Sequence, residues 1–164
     1  MKDSIIFEDF NSINWFNNFT EKEVFTIKNR FKNFPEDKFI NLSTLQFDLF
    51  EYEDCDDYHF LVNQLTTKVS NRFTDFKIDT VNCLKKNKIE LIVNSKKYKK
   101  AFRVNGSRFD IEALIDFLNK LLNANNIEER FYLLNSGSDI LYPVLISPEI
   151  LEKAKIAKII SVFY

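Results

Sequence analysis

Apolar residues change their spacing along this 164-residue chain, and that change constrains the fold more than any other feature. Val24, Ile27 and Phe31 recur at helical intervals, and Leu61, Leu65, Val69 and Phe73 form a row four apart. Ile89, Leu91 and Val93 then alternate, as a strand with one buried face requires. Ile111, Leu114, Ile115, Leu118 and Leu122 return to the helical period. The order is helices, antiparallel strands, helix, hairpin, helix. It predicts an α+β fold, with a meander and a hairpin packed with N-terminal, central and C-terminal helices, and excludes repeating βαβ units.

Local signals sharpen the boundaries. Thr20 with Glu23 three residues on reads as a capping box, Phe19 and Val24 stand where a hydrophobic staple would, and Pro35 closes that helix. Asp110 caps the central helix, with Phe109 and Leu114 in staple positions. Ser147-Pro148-Glu149 pairs an N-cap with proline at the first helical position, opening a short helix through Ala157. Ile78–Leu84, Ile89–Val93 and Tyr98–Val104 would form the meander, with turns at Lys85-Lys86-Asn87 and Asn94-Ser95-Lys96-Lys97. Phe131–Asn135 and Ile140–Ile146 read as a hairpin around Ser136-Gly137-Ser138. Pro143 in its second arm predicts an edge strand or a bulge. Residues 37–52 fit both periods, a helix being favoured, and Ile159–Phe163 fits a last strand.

No linker, repeat or low-complexity stretch interrupts the chain, so residues 1–164 are expected to form one domain. Apolar residues make up 45% and glycine only two positions, which excludes disordered and collagenous classes. No apolar run approaches the roughly 20 residues of a membrane span, and the first nine residues lack the pattern of a signal peptide. A cytoplasmic protein is the expectation, with Cys55 and Cys83 as buried thiols. Phenylalanine occurs 18 times, 13 of them before position 77, a bias that AT-rich coding would produce. Phe7, Phe10, Trp15, Phe16 and Phe19 are nevertheless too many rings to leave in water.

The formal net charge of −1 hides a division. Residues 1–82 carry 9 Lys+Arg against 15 Asp+Glu, a net of −6, and residues 83–164 carry 14 against 9, a net of +5. Asp48, Glu51, Glu53, Asp54, Asp56 and Asp57 fall within ten positions with no basic residue among them. Lys85, Lys86, Lys88, Lys96, Lys97, Lys99, Lys100, Arg103 and Arg108 face one acid, Glu90. Such asymmetry favours a charged partner, although a solvated surface also produces it.

Signatures of catalysis are missing. The single imidazole, His59, has no second histidine or paired cysteine at metal-ligand spacing, and reads as a surface or partly packed residue at a helix start. Gly106 and Gly137 cannot build a phosphate-cradling loop. Asp79 followed by Glu90 suggests the paired carboxylates of a metal-dependent nuclease, but Ile92 stands where that chemistry needs a lysine. An enzyme would have to work through Asp75, Asp79 and Glu90; no cofactor or metal is expected.

Two binding readings stand beside this. The lysine-rich segment 85–108, with Tyr98 and Phe102, would suit nucleic acid, but alternation splits its cations between two faces, and lysine also protects strand edges. The acidic run would cap and solvate a helix N-terminus, or would form a docking face for a basic protein, with Tyr52 and Tyr58 adding contact area.

The last third carries a resemblance. Leu118-Asn119-Lys120-Leu121-Leu122, Arg130-Phe131-Tyr132-Leu133-Leu134, Ser136 through Tyr142, and Leu145-Ile146-Ser147-Pro148-Glu149 resemble segments of small bacterial immunity proteins of polymorphic and contact-dependent growth-inhibition toxin systems. The likeness covers residues about 110–150 and is structural in character. It implies a non-catalytic cytoplasmic inhibitor that binds one cognate toxin domain, typically C-terminal in a larger protein. A basic nuclease would suit the carboxylates Asp48, Glu51, Glu53, Asp54, Asp56 and Asp57, with no membrane partner expected and nucleic acid, through segment 85–108, the less favoured alternative.

Overall fold

The structure is a computed structural model that describes residues 7–34, 42–43, 47–48, 55–73, 75–82, 87–102, 111–134 and 140–160, by backbone alone at 47–48, 55–59, 79–82, 87–89 and 102. The elements run α1 (Phe7–Ser12), α2 (Glu21–Asn33), β1 (Phe47–Asp48), α3 (Cys55–Ser70), β2 (Phe76–Asn82), β3 (Asn87–Val93), β4 (Lys96–Phe102), α4 (Ile111–Ala124), β5 (Arg130–Leu134), β6 (Ile140–Ile146) and α5 (Pro148–Ile156). Helices and antiparallel strands alternate in blocks, and the fold is α+β. The chain forms two compact units. Residues 1–47 and 128–164 make the first, and residues 48–127 the second.

The first unit explains the N-terminal rings. Phe10 and Trp15 are fully buried, with Phe7, Phe16 and Phe31 nearly so; they pack with Leu134, Val144, Ile146 and Leu151. Phe7 stacks on Phe16 at 4.9 Å, and Phe10 meets Trp15 edge to face at 5.5 Å. Each such pair adds about 0.5–1.5 kcal/mol beyond its buried area. The Trp15 indole donates to the Leu42 carbonyl at 3.3 Å, so the buried ring leaves no polar atom stranded.

Helix α2 starts as the sequence predicts. The Thr20 hydroxyl accepts from the Glu23 amide, and the Glu23 carboxylate accepts from the Thr20 amide at 2.8 Å. It ends at Asn33, with Phe34 driven out of the helical region before Pro35. In α5, Ser147 caps the Ile150 amide and Pro148 occupies the first turn. Ile159 and Ile160 lie in no strand, and the rest of the predicted final strand falls outside the described residues.

Three helices end in one backbone motif. After α1, Trp15 N–H donates to Phe10 O and Asn14 N–H to Asn11 O; after α4, Ile127 donates to Leu122 O and Asn126 to Asn123 O. After α5, Ile159 donates to Ala154 O and Lys158 to Lys155 O. These are Schellman caps, whose pivot adopts the left-handed conformation that favours glycine. Here Asn14, Asn126 and Lys158 occupy it, at φ 63°, 57° and 57°.

One sheet has the order β1-β6-β5, so β6 is its middle strand. Two expectations change. Within residues 37–52 Leu42 is helical as favoured, but Phe47 and Asp48 pair as a strand. Pro143 sits neither at an edge nor in a bulge: it lies opposite Leu133 in an unbroken β5–β6 register. The physical reason is local. A strand residue points its N and its C=O to the same side, and the Pro143 carbonyl accepts from the Ser43 hydroxyl. The missing N–H therefore faces the Ser43 side, where a side chain supplies the contact, and removes no bond to β5.

In the second unit β2, β3 and β4 form the predicted antiparallel meander. A two-residue loop joins β3 to β4, with Asn94 and Ser95 at φ 48° and 63°, the sign that a type I′ hairpin demands. Helix α3 packs against β2 and α4 against β4. Leu61, Leu65 and Val69 of α3 are buried, as is the whole predicted apolar row of α4. Phe73 lies beyond the end of α3 and is half-buried.

Candidate functional site

Helix α3 organises the acidic run. Leu61, Val62, Leu65 and Val69 are fully buried and fix its rotation. Asp56, Asp57 and Tyr58 fall in its opening turns, at the end where the helix dipole favours carboxylates. Asp48 ends β1. Glu51, Tyr52, Glu53 and Asp54 lie outside the described residues. The backbone thus places four of the eight predicted contact residues on two elements.

A neighbour of that run escaped the sequence reading. Phe60 is 53% exposed, three and four positions after Asp57 and Asp56, hence within one helical turn of both. The signal was present: Phe60 departs from the row of Leu61, Leu65 and Val69 that buries the opposite side of α3. His59 belongs to the same turn by backbone, and so does Cys55; Cys83 is outside the described residues.

The lysine-rich segment resolves into two faces. Register puts Lys77, Ile92 and Lys97 in one row and Glu90 with Lys99 in the next, all on one side of the meander. Tyr98 lies opposite Leu91 on the other side. Glu90 is only 6% exposed and receives Lys97 at 2.7 Å and Lys99 at 3.3 Å. A buried carboxylate is tolerated only when paired, and these half-exposed ammonium groups perform that service. The Tyr98 hydroxyl accepts from the Asn125 side chain, which also donates to Leu121 O; Asn94 in turn donates to the Asn125 side-chain oxygen. Tyr98 thus ties the β3–β4 hairpin to the end of α4.

Of the three carboxylates considered for an enzyme, Asp75 and Glu90 are described with their side chains. Asp75 lies 3.9 Å from Lys77, and its backbone carbonyl accepts from Asn94; Glu90 is engaged as above. Asp79 sits where the β2–β3 register slips, with its side chain outside the described residues. Among the described residues no three His, Cys, Asp or Glu side chains come together to hold a metal. A shallow groove of about 330 Å³ is lined by Lys22, Glu23, Thr26, Ile27 and Arg30 of α2, and none of the eight predicted contact residues borders it.

Two titrating groups of the first unit are shifted. Burial pushes the Tyr132 phenol above its ordinary range, against the opposing pull of Arg130 and Lys155. A hydrogen bond and charge from Lys153, 2.6 Å away, hold Glu149 below the usual carboxylate range. Among the described residues no helix is long and apolar enough to cross a membrane. Compared with models of protein families, with curated proteins and with solved structures, the chain matches none.

Proposed function

We propose that this chain is a bacterial, cytoplasmic immunity protein: it binds a cognate toxin domain and blocks it by occlusion, without catalysis. The observation that carries the reading is the run of six carboxylates from Asp48 to Asp57, unbroken by any cation. It leads into the first turn of α3, where the half-exposed ring of Phe60 follows. An aromatic anchor beside a charged rim is the arrangement by which protein interfaces concentrate binding energy. The carboxylates would speed encounter with a basic cleft and sharpen partner choice. The likeness of residues about 110–150 to immunity proteins supports the same class.

The alternative is a nucleic-acid-associated protein acting through residues 85–108. It has less support, because Lys97 and Lys99 are engaged by Glu90 and Tyr98 by Asn125.

The test is to purify the chain with the toxin domain encoded by the adjacent upstream gene, then measure affinity at two salt concentrations and residual toxin activity. Replacing Asp48, Glu51, Asp56 and Asp57 by Asn or Gln is expected to lower affinity on the order of tenfold or more, mainly through the association rate. The residual binding should depend less on salt. Unchanged affinity would move the site elsewhere, and substrate turnover by the purified chain alone would overturn the non-catalytic reading.

A further inference from the structure

We draw no further inference here: the strongest candidate, the lysine-bearing face of the β2–β3–β4 meander with Lys77, Lys97 and Lys99, already commits two of its ammonium groups to the buried Glu90, and nothing in the structure shows what partner would cover it.

Discussion

Lys158 offers the sharpest test of how this glycine-poor chain ends its helices. It is the pivot of the Schellman cap after α5, at φ 57°, and its side chain is exposed. A residue bearing a Cβ pays about 1–2 kcal/mol to occupy the left-handed region. Glycine avoids that cost but gives back about 0.4–1 kcal/mol through the larger freedom of its unfolded chain. Lysine also brings a favourable charge at the helix C-terminus, about 0.3–1 kcal/mol. The informative comparison is therefore Lys158→Gly against Lys158→Ala, since both remove that charge. The glycine variant should be the more stable by about 1 kcal/mol, about 2–4 °C in Tm for a chain of this size. Trp15, the only tryptophan, is fully buried in the same unit, so its fluorescence during urea unfolding reports the difference directly. Lys158→Val should lie below the alanine variant, because a β-branched residue fits this region worst. If alanine equals or exceeds glycine, the left-handed pivot is not the source of strain.

Other outcomes follow from single contacts. Trp15→Phe removes the donor to Leu42 O and strands a buried carbonyl, a loss of about 1–3 kcal/mol visible in thermal circular dichroism. Glu90→Gln leaves Lys97 and Lys99 without their carboxylate; their partial exposure limits the loss to about 1 kcal/mol, and urea unfolding should then be less salt-sensitive than in the parent chain. Tyr132 has a raised folded pKa, so its contribution is complete below the ordinary phenol value of 10.0 and is lost as pH rises through that value towards the folded one. Tyr132→Phe should remove a late-ionising component from the ultraviolet titration. Glu149 has a lowered folded pKa: its contribution is present above the ordinary carboxyl value and lost as pH falls through the folded one, and Lys153→Gln should return its NMR titration midpoint to the ordinary range.

Signals confined to a few neighbouring residues were legible in the sequence. The Thr20–Glu23 box, the Ser147-Pro148 start and the α4 face each require only local chemistry and stand as read, whereas the turn read over Asn94-Ser95-Lys96-Lys97 is only Asn94-Ser95, because Lys96 and Lys97 pair with β3. What depended on distant partners was not legible. Pro143 occupies a middle strand because Ser43, a hundred positions away, takes its carbonyl. Phe47 pairs as a strand because β6 is there to receive it. Asn125, 27 positions away, donates to the Tyr98 hydroxyl, a tie that no local pattern announces. The candidate site shares this limit. Its charge is visible in the sequence, and Phe60 became part of it only once the burial of α3 had fixed which side of the helix faces solvent.

The division of the first unit into residues 1–47 and 128–164 has a consequence for biosynthesis. The aromatic rings of α1 and α2 emerge from the ribosome long before Leu134, Val144, Ile146 and Leu151, the side chains that complete their cluster. The intervening 80 residues take roughly 4–16 s to translate at the usual pace. Throughout that interval Phe7, Phe10 and Trp15 lack their final cover, so the first unit can close only after the second has been synthesised.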